Sequence, residues 1–226
     1  MKRNRNTQKT ARCRQTPLQY KFGGAFFCEL PFYVNRHVLI PRFDTEKLVE
    51  AVILNAGRDK AGVRVLDMCT GSGCIAVVLA KHDFDVTAVD ISRRALRVAK
   101  RNARLHDVNI KIIQSDLFSN IVGKFDVLVS NPPYIKTAEI GKYDASTLCE
   151  PRIALDGGAD GLDFYRRIAR GAGAFLPFGG KIFLEIDAKA AKEVETILRE
   201  CGFCDIKIIK DSQGLASVIY GIFRTT

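Results

Sequence analysis

No apolar run in these 226 residues approaches the ~18 needed to cross a bilayer, so no membrane partner is expected. Internal repeats and low-complexity tracts are also lacking, which excludes a solenoid or fibrous chain. No cleavable apolar signal precedes the seven cysteines at 13, 28, 69, 74, 149, 201 and 204, and reduced thiols in a cytoplasmic setting are expected. Cys201 and Cys204 form a CxxC, yet neither a second pair nor a nearby histidine completes a zinc tetrahedron. They read as structural thiols, and no metal is expected. His37, His82 and His106 fall in predicted loops or helix ends, away from the motifs below, and none is spaced as a general base. Acid is missing from residues 1–14, which carry Lys2, Arg3, Arg5, Lys9, Arg12 and Arg14 with little apolar to bury. They read as a basic arm without a core of its own; an organellar presequence would need an amphipathic apolar face that is absent.

What is present is a globular composition, 47% hydrophobic and 27% charged, with a formal charge of +10. The second concentration of charge is a predicted helix over 92–106. Arg93, Arg94, Arg97, Lys100, Arg101 and Arg104 form its polar stripe, opposite Leu96, Ala99 and Ala103. Such a stripe is either a solvated face or a contact for RNA or the ribosome.

Strands are predicted at 63–68, 86–90, 110–114 and 125–130, alternating with helices at 73–82 and 92–106. A helix over 162–175, a strand at 181–186, a helix over 188–201 and strands at 204–209 and 217–223 follow. This is the pattern of an α/β fold with a mostly parallel, doubly wound sheet and an antiparallel strand among the last. Ahead of it, 23–27 and 31–34 read as a small β-hairpin turning at Cys28 and Glu29. A helix capped by Asp44 or Thr45 comes next, burying Leu48, Val49, Val52 and Ile53. The expected division is a basic arm (1–14), a hairpin or lid (15–40) and the main α/β domain (41–226).

The chemistry concentrates at strand ends. In 125–134, FDVLVSNPPY, a buried apolar strand stops at Asn131, Pro132, Pro133 and Tyr134, because paired prolines cannot continue it. The Asn131 carboxamide oxygen and the Pro132 carbonyl are placed to accept from a substrate NH2, with Tyr134 a flat wall for a planar group. A plain Asn-Pro turn is the alternative. At the first strand–helix junction, Gly71 and Gly73 allow a tight turn beside free helix N–H groups, Asp90 closes the second strand, and Asp116 and Leu117 follow the third. Together these strand ends converge on a nucleoside. Gly71, Gly73 and Ala76 also satisfy a dinucleotide fingerprint, making a nicotinamide enzyme a rival. Hydride transfer, however, has no use for an amide-aiming clamp.

The NPPY, CTGSG, IPRFDTE and EPRIALDGGADGLDFYRRI segments together resemble the release-factor glutamine methyltransferases, from about residue 12 onward. The resemblance implies a Rossmann-like class I methyltransferase sheet and S-adenosyl-L-methionine as cofactor, with S-adenosyl-L-homocysteine as product. The implied reaction is N5-methylation of the GGQ glutamine of a peptide chain release factor, in translation termination. It assigns Cys69, Thr70, Gly71, Ser72, Gly73, Asp90, Asp116, Leu117 and Asn131 to the cofactor, and Asn131, Pro132, Pro133 and Tyr134 to the glutamine. Amino-methylating DNA and RNA enzymes share NPPY, so an adenine-N6 or other exocyclic-amine methyltransferase is the alternative. A non-enzymatic binding module is a further one, because only the basic arm stands where the family carries an N-terminal helical docking domain. Cys69 replaces a family glycine, a change that a negative φ accommodates; Phe43 and Asp187 replace a favoured proline and glycine.

Overall fold

The structure, a computed structural model, describes residues 16–57 and 60–224; the basic arm lies outside them. A seven-stranded sheet is built from β3 (Arg64–Met68), β4 (Asp85–Asp90), β5 (Lys111–Gln114), β6 (Val127–Ser130), β7 (Lys181–Glu185), β8 (Phe203–Lys210) and β9 (Ala216–Phe223). Its order is β5-β4-β3-β6-β7-β9-β8. The first five strands named in that order pair in parallel, and β9 runs antiparallel to both β7 and β8. From central β3 the chain winds first toward β5 and then back past β6. The crevice at the carboxyl ends of β3 and β6 is thus the switch point where open α/β sheets take ligands.

Alternate strand residues feed two cores, as expected of a sheet covered on both faces. Val65, Val127, Val129 and Phe183 pack on one side with α2 (Phe43–Asn55) and α3 (Cys74–Lys81). Leu66, Leu128, Ile182 and Leu184 pack on the other with α5 (Asp163–Ala172) and α6 (Ala191–Glu200). The hairpin forms from β1 (Gly24–Phe27) and β2 (Leu30–Tyr33), preceded by a short helix, α1 (Leu18–Phe22), that the sequence pattern did not reveal. Cys28 and Glu29 both have positive φ (46° and 63°), the turn geometry that matches strand twist. Phe27 and Phe32 enter the same core as Val65.

Helix α4 (Arg93–Leu105) starts at Ser92, whose hydroxyl accepts from the Ala95 N–H at 3.2 Å. Its apolar face is buried as predicted. Within it Asn102 is fully buried: Oδ1 accepts from Tyr33 N (2.8 Å), and Nδ2 donates to Tyr33 O (3.0 Å) and Ser72 O (2.8 Å). One amide thus ties the hairpin to the glycine turn. The cations are not equivalent. Arg93 donates to the Gln114 side chain and Arg101 stacks 3.5 Å over the Tyr33 ring, whereas Arg94, Arg97, Lys100 and Arg104 form no ion pair among the described residues.

Two expectations need correction. The helix predicted to be capped by Asp44 or Thr45 begins at Phe43, with Arg42 at the cap position and no side-chain cap bond. Thr45 is instead buried and turned inward. Cys28, Cys69, Cys74, Cys201 and Cys204 are free thiols, but Cys149 is disulfide-bonded, against the reading of uniformly reduced cysteines.

Candidate active site

A cavity of about 190 Å³ occupies the switch-point crevice. Cys69, Thr70, Gly71 and Ser72 form its floor, Asp90 one wall, and Asp116 and Leu117 another. The turn is held from beneath. Thr70 N donates to Val89 O (2.9 Å), and its hydroxyl donates to Asp67 Oδ2 (2.5 Å), a buried carboxylate that desolvation raises to about 7. Asp90 accepts from Gly71 N through Oδ2 (2.9 Å) and from Ser92 N through Oδ1 (2.8 Å), so both its oxygens are oriented and keep a lone pair. Burial raises its pKa, and those backbone donors oppose the rise. Asp116 is engaged at the rim, where Arg167 Nη2 reaches Oδ1 at 2.7 Å.

Three placements depart from the sequence reading. Gly73 does not line the cavity; a Cβ there would meet the Ala99 Cβ at 2.9 Å, so this glycine lets α3 approach α4 and supplies a φ of +79°. His37, expected far from the motifs, does line it, and its pKa is pushed down by burial and then by Arg94, Arg36 and Arg97. Cys69 has φ +62°, so the accommodation by negative φ fails. A non-glycine residue in that region costs roughly 1–2 kcal/mol. Cys69→Gly is therefore expected to raise stability by about 1 kcal/mol, read as a higher denaturation midpoint with an unchanged slope.

A second cavity of about 440 Å³ abuts the first, and Leu39, Arg42, Asn131 and Ala154 line both. Pro132 and Tyr134 face the second, while Pro133 faces the first. The Asn131 Nδ2 donates to Thr45 Oγ1 at 3.1 Å, and Oδ1 makes no hydrogen bond among the described residues. That orientation leaves an acceptor free where the two cavities meet.

The other signatures hold this clamp in place. Residues after a single 3-10 turn at Arg152–Ala154 run alongside it: Ile135 N donates to Leu155 O (2.9 Å), and Gly157 N donates to Ile135 O (2.8 Å). A Cβ at Gly157 would meet Tyr134 Cα at 2.6 Å, and one at Gly161 would meet Tyr134 O at 2.5 Å. Only glycine permits that approach. Glu150, buried at the start of the same signature, accepts from Ile40 N (3.2 Å) and from Arg42 Nη2 (2.5 Å), which joins IPRFDTE to EPR between the cavities.

Sequence reasoning missed Glu185, at the end of β7. It is buried, Tyr134 Oη donates to its Oε1 (3.3 Å), and its Oε2 has no partner. Burial raises it to about 7, with Thr45, Tyr134 and Asn131 holding the value down. An acid closing the apolar run KIFLE was the available signal. Among the described residues no group of three or more His, Cys, Asp or Glu could hold a metal ion.

The sheet order, switch-point crevice and glycine turn define an α/β methyltransferase, and residues 45–151 match the Methyltransferase small domain. Solved structures agree at the level of fold: a methyltransferase from Pyrococcus furiosus has a TM-score of 0.64 at 20% identity, covering 84% of this chain and 87% of that one. The T. thermophilus 16S rRNA N2 G1207 methyltransferase has a TM-score of 0.67 at 19% identity, covering 89% of this chain and 50% of that one. Sequence relatives are more specific. The release factor glutamine methyltransferase of Geobacter sulfurreducens is 42% identical over 214 residues, which cover 93% of this chain and 74% of that protein. That of Thermodesulfovibrio yellowstonii is 40% identical over 214 residues, covering 92% and 77%. The chain belongs to the release factor glutamine methyltransferase family.

Proposed function

We propose that this enzyme transfers a methyl group from S-adenosyl-L-methionine to the side-chain amide nitrogen of the GGQ glutamine in a peptide chain release factor. The observation that carries the reading is Asn131, on the wall shared by two cavities with Nδ2 turned inward and Oδ1 unengaged. The first cavity suits the cofactor. Asp90 offers oriented lone pairs to ribose hydroxyls, Leu117 an apolar contact for a base, and Gly71, at φ +54°, backbone open to the cavity. When bound, S-adenosyl-L-methionine supplies an electrophilic methyl group on a sulfonium.

An amide nitrogen is a weak nucleophile because its lone pair is delocalised into the carbonyl. Asn131 Oδ1 and the Pro132 carbonyl hold both N–H bonds and turn the nitrogen toward the first cavity, so alignment supplies much of the rate. The same oxygens stabilise the positive charge that builds on nitrogen. Tyr134 and Pro132 wall the second cavity around the glutamine side chain. Incubating the enzyme with methyl-labelled cofactor and a GGQ-containing release factor tests this. Label on the glutamine of that peptide is expected; label confined to RNA or DNA would instead support the exocyclic-amine reading.

Contact with RNA or the ribosome belongs to the same proposal, supported by Arg94, Arg97, Lys100 and Arg104 of α4, which form no ion pair among the described residues, and by His37 on the cavity lining, which feels the positive charge of Arg94 and Arg97. Reversing Arg94, Arg97, Lys100 and Arg104 to glutamate is expected to raise KM for a ribosome-bound release factor about tenfold and leave kcat on an isolated peptide unchanged. Equal KM values for parent and variant would count against the contact. No helix among the described residues is long and apolar enough to cross a membrane. A cytoplasmic location follows from the proposed substrate.

A further inference from the structure

Glu185 lines neither cavity, yet it is a 4% exposed carboxylate with an orphaned oxygen beside the clamp. Burying such a group is unfavourable unless something is gained from it. Its neighbours indicate the gain. Asn131 Nδ2 donates to the Thr45 hydroxyl, Thr45 and Asn131 both help hold the buried carboxylate's pKa down, and the hydroxyl, while accepting from Asn131, still has its one proton to turn toward Glu185. Tyr134 Oη donates to Oε1, fixing the last residue of the clamp to the same anion. Were the Asn131 amide flipped, Oδ1 would face these acceptors, and the substrate would meet an NH2 donor where it needs an acceptor. An Asn amide is otherwise nearly symmetric in shape, so something polar must choose its orientation.

We infer that Glu185 is a positioning residue which, through Thr45, holds the Asn131 amide with Nδ2 inward and Oδ1 toward the substrate glutamine. This rests on the proposed function and deepens it. The role requires the anion, because a protonated Glu185 can donate and no longer enforces one orientation. The titratable or charged groups facing it are Asp44 from α2, Tyr134 after β6, Tyr165 from α5, whose hydroxyl donates to Glu185 O at 2.9 Å, and Asp187 after β7. From β9 the residue opposite is apolar Val218. Burial raises Glu185 from 4.5 to about 7. Stability conferred by its neutral form is therefore full in acid and lost as pH rises through about 7, while the ordered clamp is gained over the same interval.

The test measures kcat and KM for a GGQ peptide across about pH 6 to 8.5, cofactor affinity by calorimetry, and melting temperature. Glu185→Gln is expected to lower kcat about 10- to 100-fold above pH 7 and flatten its rise with pH, with cofactor affinity within about twofold of the parent. It is also expected to melt higher than the parent at pH 8 but not at pH 5. Thr45→Val should copy the kcat loss and Thr45→Ser should restore it, which keeps the test available if Glu185→Gln fails to fold. Parent-like kcat in Glu185→Gln, or a pH rise that survives in it and so belongs to Asp67, would overturn the inference. So would equal losses in Thr45→Val and Thr45→Ser. An inactive parent would overturn the functional reading itself, a result distinct from an active parent with unaffected variants.

Discussion

Asn131→Ala is expected to lower kcat for methylation of a GGQ peptide by at least about 100- to 1,000-fold, the usual loss when one charge-stabilising group is removed. The side chain removed is the free acceptor at the meeting of the two cavities, and the Pro132 carbonyl alone leaves the amide nitrogen free to rotate about the remaining bond. Cofactor affinity should change far less, since the floor from Cys69 to Ser72 and the Asp90 wall are untouched. Calorimetry with S-adenosyl-L-methionine, run beside single-turnover kinetics, separates the two quantities. Full turnover by this variant would remove Asn131 from the role given it.

Gly157→Val is expected to have a comparable effect while leaving every side chain of the clamp unchanged. Its Cβ would lie 2.6 Å from Tyr134 Cα and 2.9 Å from Pro133 O, both backbone-linked atoms that cannot swing aside as the end of a flexible side chain can. The strand-like pairing of Ile135 with Leu155 and Gly157 must then shift, carrying Tyr134 with it. A stability loss of about 1–3 kcal/mol is expected from the overpacking, with kcat falling about 100-fold because a misplacement near 1 Å is felt that strongly. Gly141 provides the control. A Cβ there meets nothing within 4 Å, so Gly141→Ala should match the parent in melting temperature and kcat.

Much of this was legible because strand ends write local patterns. The doubly wound sheet, the hairpin at Cys28 and Glu29, and the strand terminated by Pro132 and Pro133 all follow from periodicity and turn chemistry within a few residues. The glycine turn was legible as a turn, but Gly73 was assigned to ligand approach when its neighbour is Ala99, 26 positions along, which no local pattern records. Thr45 was read as a helix cap because hydroxyl residues near helix starts usually are. Its partner, Asn131, lies 86 residues away. Glu185 and Asn102 were hidden for a related reason: each is a polar residue embedded in a segment whose overall pattern, an apolar strand or a cationic helix, dominates the reading. The positive φ of Cys69 is likewise a property of how β3 meets α3, invisible in residue type.

The Asn102 amide has a consequence for motion. Because it grips both backbone groups of Tyr33 and the Ser72 carbonyl, the hairpin and the turn that floors the first cavity share one side-chain anchor on α4. Amide exchange should therefore find the Tyr33 N–H opening together with the interior of α4, as one cooperative unit rather than as a fraying hairpin. A ligand arriving at that turn meets a loop already ordered by its own scaffold, and little of its binding energy goes into freezing the chain.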